Sequence, residues 1–256
     1  MIKLVVSDLD GTLLPHEKEN IDEETINIIN KILEKNIYFA IASGRSYREL
    51  SYFIRKNKHN IFLISENGSL ITYKGKILTK RTIEKNKVIS LANEIEEHGY
   101  DCLIFGVHTL YTTSKNKAYI DYLNKTKGHV IKISKGEDLP EDPLRISVYK
   151  SAEKNINKAW IIRNMQKFNV SYNGKEWLDF IELGVNKGSA IQEIKRDFLN
   201  EGDEIMAFGD GFNDMEMLKM ADYSFAMRNG VKEIIEICSC VTDKPIKTIN
   251  KYINLG

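Results

Sequence analysis

Met1-Ile2-Lys3-Leu4-Val5-Val6-Ser7-Asp8-Leu9-Asp10-Gly11-Thr12 opens the chain as a short apolar run that stops abruptly at two aspartates, a glycine and a threonine. Ile2 to Val6 is too short for a self-sufficient helix and rich in β-branched residues, which predicts a buried parallel strand. Asp8 stands where that strand ends. Asp10 follows two places later, and side chains at i and i+2 of extended chain share a face, so both carboxylates can be aimed at one point in space. Gly11 lets the backbone turn sharply there.

The same strand, small polar turn and helix recur downstream. Ile21 to Asn36 has helical spacing (Ile21, Ile28, Ile29, Ile32, Leu33) with Asp22, Glu23 and Glu24 at its start. Ile37 to Ala42 is the next strand, ending in Ser43, Gly44 and Arg45, and Ser46 can cap a helix running to about Asn57. Ile61 to Ile64 ends in Ser65, Glu66, Asn67 and Gly68, and Ser69 to Thr79 reads as a hairpin.

From about Thr82 the rhythm changes. Helices are expected at Lys87–His98, near Ala118 and at Asn155–Lys167, and strands at Cys102–Val107, Leu110–Thr113, Leu144–Tyr149, Val170–Asn173 and Trp177–Glu182. Consecutive strands without helices between them predict an antiparallel sheet. The first rhythm then returns: helix Lys187–Leu199, strand Glu204–Phe208, a turn Gly209–Asp214, helix Met215–Met220, strand Tyr223–Met227, a helix near Val231–Ile237, strand Cys240–Thr242 and a last helix to about Ile253. The expected fold is α/β, a doubly wound parallel sheet over residues 1–81 and 184–256 with an inserted α+β domain over 82–183.

Composition narrows the function. The 256 residues are 42% hydrophobic, enough for a sizeable core, and 37 basic against 36 acidic residues leave a net charge of +1, so neither a nucleic acid nor an anionic membrane is an expected partner. Three cysteines, odd in number and without a C-x-x-C pair, suit neither a disulfide framework nor structural zinc, and no signal peptide or membrane span is evident; a cytoplasmic protein, monomer or homodimer, is expected. The five histidines are scattered and read as surface or helix-end residues.

In a parallel sheet, Asp8 and Asp10, Ser43 and Gly44, and Gly209 to Asp214 lie on one edge, and Lys187 at the start of a core helix can reach it. Two like charges about 4 Å apart repel by roughly 4 kcal/mol near a protein surface, so Asp8, Asp10, Asp210 and Asp214 together call for something positive. An all-oxygen set without His or Cys points to Mg2+. A metal beside a free carboxylate suggests phosphoryl chemistry, with Asp8 as nucleophile, Asp10 as acid and then base, and Ser43, nearby backbone N–H groups and Lys187 on the phosphate oxygens. Arg45, and Glu66 and Asn67 at the third strand tip, border the same edge and are candidate substrate contacts. Taken singly, each of these residues would more often be a cap, a turn residue or a solvated charge.

Asp8-Leu9-Asp10-Gly11-Thr12-Leu13 resembles the D-x-D-G-T-L signature of the haloacid dehalogenase superfamily of phosphatases; Ser43-Gly44-Arg45 is similar to its second motif, Asn186-Lys187-Gly188 to its third, and Gly209-Asp210-Gly211-Phe212-Asn213-Asp214 to its fourth. Four motifs in order are far more specific than one. The resemblance extends to the Cof-type branch, whose class IIB cap is inserted between the second and third motifs. It implies a Rossmann-like core, Mg2+ held by the Asp8 carboxylate, the Asp10 carbonyl and Asp210 with Asp214 in support, and phosphate held by Leu9 and Gly44 backbone groups, Ser43, Lys187 and Asn213. Asp10 argues for a phosphatase rather than a dehalogenase, because a phosphate ester benefits from a general acid.

These observations lead to an expected Mg2+-dependent phosphatase acting through an aspartyl-phosphate on a small phosphorylated metabolite, with a mobile cap that excludes water. By resemblance the substrate is a sugar phosphate first, and a phosphorylated cofactor such as flavin mononucleotide or pyridoxal phosphate next. A phosphotransferase such as a sugar phosphomutase, or a non-catalytic phospholigand-binding regulator, are the alternatives; a binding module has no need of both Asp8 and Asp10.

Overall fold

The computed structural model describes residues 1–15, 18, 20–53, 60–134, 139–150, 156–173 and 176–254. The chain divides into two compact units, Met1–Thr79 with Asn186–Gly256, and Lys80–Val185.

The first unit begins with β1 (Ile2–Asp8), α1 (Glu23–Glu34), β2 (Tyr38–Ala42), α2 (Tyr47–Phe53), β3 (Phe62–Ser65), β4 (Leu70–Tyr73) and β5 (Lys76–Lys80). Asp22 caps α1, its carboxylate accepting from the Thr25 amide at 3.0 Å. Ser46 and Glu49 form a reciprocal cap at α2: the Ser46 amide donates to Glu49 Oε2 at 3.0 Å and the Glu49 amide to Ser46 Oγ at 3.3 Å. The expected extension of α2 to Asn57 falls on residues outside those described, as do His16 and His59.

The inserted unit carries α3 (Lys85–Glu97), β6 (Asp101–Phe105), β7 (Leu110–Thr112), α4 (Lys117–Thr126), β8 (Val130–Lys132), β9 (Arg145–Tyr149), α5 (Lys158–Asn164), β10 (Phe168–Asn173) and β11 (Trp177–Glu182). Its sheet runs β10-β11-β9-β6-β7-β8. The expected antiparallel sheet needs one correction. The β7–β8 pair is parallel, because α4 carries the chain back between the two strands before β8 adds to the edge. β8, with Val130 buried and Ile131 and Lys132 exposed, is not among the expected strands. The fifth helix is also shorter than expected: Asn157 caps it, accepting from the Ala159 and Trp160 amides, so it starts at Lys158, while Asn155 lies outside the described residues. Inside this unit the Arg145 side chain, 3% exposed, donates to Asp179, and Ser147 Oγ donates to the other oxygen of that carboxylate.

The chain returns to the first unit with α6 (Lys187–Phe198), β12 (Glu204–Gly209), α7 (Met215–Met220), β13 (Tyr223–Met227), α8 (Lys232–Ile237), β14 (Cys240–Thr242) and α9 (Pro245–Ile253). The sheet order is β14-β13-β12-β1-β2-β3-β4-β5, parallel from β14 to β3, with β4 antiparallel to β3. Helices cover both faces. Val5, Phe39, Ile41 and Phe208 pack with Ile29 and Ile32 of α1 and Ile249 of α9; Leu4, Val6, Ala40 and Ala207 pack with Ile191 and Ile194 of α6, Leu218 of α7 and Ile234 of α8. Burial on both faces is why these strands read as continuous apolar runs.

β1 lies between β2 and β12, and here the strand order reverses: the chain moves outward through β2 and β3 on one side and through β13 and β14 on the other. Such a switch point opens a crevice at the carboxyl ends of the strands. No helix among the described residues is long and apolar enough to cross a membrane.

Candidate active site

The crevice is built from the ends of β1, β2, β3 and β12. Asp8 closes β1 and is 5% exposed. Lys187 comes from the first turn of α6, which Asn186 starts by accepting from the Ser189 amide at 2.8 Å. That cap fixes where the helix begins and points the Lys187 side chain inward: Lys187 is 0% exposed, and its Nζ donates at 2.6 Å to Asp8 Oδ1 and at 2.6 Å to Asp214 Oδ1. The second oxygen of Asp214 accepts from the Asp210 and Gly211 amides, both at 3.0 Å, so Asp214 ties the loop after β12 to the lysine. Gly209 leaves room for it, since a Cβ at residue 209 would stand 2.6 Å from the Asp214 side chain.

Asp8, Asp210 and Asp214 each bring a carboxylate oxygen within 4.8 Å of the others. Burial pushes the Asp8 carboxyl well above the usual carboxylate range; the Lys187 ammonium pulls it back and the neighbouring Asp214 and Asp210 charges push it up again. For Lys187, burial acts to lower its value, but the Asp214 and Asp8 carboxylates outweigh burial and hold it above the ordinary lysine value. Three carboxylates against one ammonium leave two negative charges in this corner, the charge a divalent cation neutralises. Both oxygens of Asp214 already accept hydrogen bonds, which favours Asp8 and Asp210 as the side chains able to hold such an ion, with Asp214 bracing them.

Asp10 lies past the end of β1, in the turn where the Gly11 amide donates to the Leu14 carbonyl at 2.9 Å. Its carboxylate has a different cation from that of Asp8: Arg45 Nε donates to Oδ2 at 2.9 Å and Nη2 to Oδ1 at 2.5 Å. Leu9 between the two acids buries its side chain in the core, while its carbonyl accepts from the Leu14 amide at 2.7 Å.

The loop after β2 is fixed by the loop after β3. The Ser43 amide donates to the Ile64 carbonyl at 2.9 Å, the Asn67 amide to the Ser43 carbonyl at 3.0 Å and the Glu66 amide to the Arg45 carbonyl at 2.9 Å. Gly44 sits against Asn67, whose Oδ1 would stand 3.1 Å from a Cβ added at residue 44. That same Oδ1 accepts from Asn213 Nδ2 at 3.0 Å, which joins the β3 tip to the β12 tip. To make these bonds Glu66 and Asn67 adopt φ of 51° and 55°, followed by Gly68 at 111°. A side chain at residue 68 is excluded, because a Cβ there would lie 2.3 Å from the Asn186 carbonyl oxygen.

Sequence expectations thus separate into three groups that share one edge. Asp8, Lys187, Asp210 and Asp214 form a buried charge cluster, Asp10 pairs with Arg45, and Ser43, Gly44, Glu66, Asn67 and Asn213 form a hydrogen-bonded loop system. Glu66, expected as a substrate contact, is 1% exposed, as buried as Ser43 on the same edge. Thr12 is not among the expected site residues, yet its Oγ1 donates to Asp210 Oδ1 at 3.3 Å and orients that carboxylate. The signal was its place in the opening motif.

A family model described as haloacid dehalogenase-like hydrolase matches residues 5–247. The chain is similar to the 5-amino-6-(5-phospho-D-ribitylamino)uracil phosphatases YbjI of Escherichia coli strain K12, 25% identical over 91% of this chain and 88% of that protein, and YcsE of Bacillus subtilis strain 168, 27% identical over 96% and 92%. Its fold is that of the solved haloacid dehalogenase subclass IIB sugar phosphatase BT4131, with a TM-score of 0.80 and 22% identity over 99% of this chain and all of that one. Family match, fold and the phosphatase relatives agree: the chain belongs to the haloacid dehalogenase-like hydrolases and is an enzyme of their phosphatase type.

Proposed function

We propose that this enzyme is a Mg2+-dependent phosphomonoesterase that works through an aspartyl-phosphate on Asp8. The observation that carries the reading is the separation of the two acids of the opening motif. Asp8 is buried against Lys187, and Asp10 is held apart by Arg45 at a half-exposed position. A single shared role would not need two different cations.

The Asp8 carboxylate attacks the phosphorus, the bond from phosphorus to the ester oxygen breaks, and the protonated Asp10 carboxyl delivers its proton to the departing alkoxide. Water then attacks the aspartyl-phosphate and gives a proton to the Asp10 carboxylate, releasing inorganic phosphate and restoring both acids. Lys187, the Ser43 hydroxyl, the Leu9 and Gly44 backbone groups and Asn213 hold phosphoryl oxygens. Asp8, the Asp10 carbonyl and Asp210 hold Mg2+, steadied by Asp214; when bound, the ion neutralises charge on the phosphoryl group.

We place the substrate among small phosphorylated metabolites that carry the ester on a sugar or polyol chain. The substrate in the names of both relatives, a phosphate on a ribityl chain joined to a uracil, supports that class. Purified protein with Mg2+ should hydrolyse 4-nitrophenyl phosphate, and acid-quenched enzyme should carry phosphate on Asp8 by peptide mass spectrometry. Asp8→Asn should lose both signals with the fold intact. Turnover retained in that variant overturns the assignment.

A further inference from the structure

Asn213 is exposed on the turn after β12, a place where a side-chain amide ordinarily samples several rotamers. Among the described residues, its amide makes one hydrogen bond: Nδ2 donates to Asn67 Oδ1 at 3.0 Å. Asn67 is a rigid anchor for that bond. Its own backbone amide donates to the Ser43 carbonyl at 3.0 Å, and its side chain lies against Gly44. Its φ is 55°, between Glu66 at 51° and Gly68 at 111°. Left-handed backbone at two consecutive residues other than glycine persists only because the loop around it dictates it. The bond crosses 146 residues of sequence and joins two of the loops assigned above to the phosphoryl group.

We propose that Asn67 is a positioning residue for the phosphoryl group: its side-chain oxygen holds the exposed Asn213 amide in the rotamer whose remaining N–H meets a phosphoryl oxygen. This rests on the role given above to Asn213. Of the two Nδ2 protons one is taken by Asn67, and one is left for a ligand. On the other side of the amide, Asn213 Oδ1 would stand 2.9 Å from a Cβ at residue 211, so Gly211 leaves this rotamer its room. Released from Asn67, the side chain distributes over three χ1 wells and a roughly two-fold χ2, and the donating arrangement holds about one part in six. Loss of the tether therefore weakens phosphoryl binding by about three- to tenfold. A donor lost outright costs about 10²- to 10³-fold. These sizes separate a residue that positions a donor from one that is itself a donor.

The test compares kcat/KM for 4-nitrophenyl phosphate and for a polyol phosphate with Mg2+-loaded enzyme. Wild type, Asn67→Gly, Asn213→Ala and the Asn67→Gly/Asn213→Ala double variant are measured, with thermal unfolding to establish that each is folded. Glycine accepts a φ of 55° and keeps the backbone bond to Ser43, so only the side chain is lost. Asn67→Gly should lower kcat/KM by about three- to tenfold on both esters, and Asn213→Ala by about 10²-fold or more. The double variant should match Asn213→Ala alone. A second readout is independent of turnover. In protein carrying ¹⁵N-labelled asparagine, the Asn213 side-chain amide signals are identified by their absence in Asn213→Ala. They should move to the position of a freely rotating, solvated amide in Asn67→Gly and stay in place in Asn67→Asp, which keeps an accepting oxygen.

A double variant that falls below Asn213→Ala, an Asn67→Gly variant with wild-type kcat/KM, or amide signals unmoved in Asn67→Gly would each overturn the positioning role while leaving Asn213 as a phosphoryl donor. An Asn213→Ala variant that turns over like wild type removes the donor itself, and the proposal with it; phosphate found on Asp8 in that same variant shows that the aspartyl-phosphate reading still stands. Should Asn67→Gly be unfolded, Asn67→Ser, too short to reach Asn213, enters the same comparison.

Discussion

Replacing Lys187 with methionine keeps an unbranched side chain of similar length and removes the one ammonium that bonds both Asp8 and Asp214. At their greatest separation of 4.8 Å, two carboxylates in this corner repel by about 3.5 kcal/mol at an effective dielectric constant near 20. Breaking a buried ion pair by deleting one partner costs roughly 3–5 kcal/mol. At roughly 2–4 °C per kcal/mol, the transition of the metal-free first unit should fall by on the order of 10 °C at pH 7.

The loss has a pH signature. Asp8 is already pushed up by burial and by Asp214 and Asp210, and the variant deletes the partner that pulls it down. A carboxyl raised in the folded state destabilises progressively as pH rises above its unfolded value of about 4. The deficit against wild type should therefore be smaller at pH 5 than at pH 8. Mg2+ should also stabilise the variant more than wild type, since the ion replaces the missing charge. Calorimetry reads this transition; tryptophan fluorescence does not, because Trp160 and Trp177 both lie in Lys80–Val185. A loss below about 1 kcal/mol, or one indifferent to both pH and Mg2+, would refute the reasoning.

Asp22→Ala should lower stability by about 1 kcal/mol at pH 7 through loss of the α1 cap. The hydrogen bond from Lys18, with that from Thr25, draws the Asp22 carboxyl down to about 2, so its contribution is present above the unfolded value of about 4 and lost as pH falls towards about 2, where chemical denaturation should find variant and wild type alike. In the inserted unit, Asp179→Ala takes the carboxylate from an Arg145 that is 3% exposed and should cost about 3–5 kcal/mol, followed by the fluorescence of Trp177 two residues away on β11. Arg145→Met with Asp179→Leu should recover much of that loss, because it removes both buried charges together.

Where the sequence was legible, the cause was local. The apolar runs Leu4–Val6 and Ile37–Ala42, each cut off by small or acidic residues, announce strands that carry side chains at their tips. The hairpin at Lys74 and Gly75 is written in its turn residues. Length does not explain why β8 is illegible, since the equally short β7 and β14 are read correctly; its place is set by pairing with β7 at the sheet edge. Glu66 is legible in position but not in burial. Its place at a strand tip is a matter of order along the chain, while its 1% exposure depends on how the loops after β2 and β3 close over it.

The sequence by itself determined that acids, a hydroxyl and a lysine arrive together at one edge of a parallel sheet, because strand, turn and helix are set by neighbouring residues and parallel strands end on the same side. Only the tertiary structure decided which charge answers which. Lys187 meets Asp8 across 179 residues, Asn213 meets Asn67 across 146, and Asp10 turns away to Arg45. Coulomb attraction and desolvation depend on distance and burial in space, so two aspartates separated by one leucine acquired different partners.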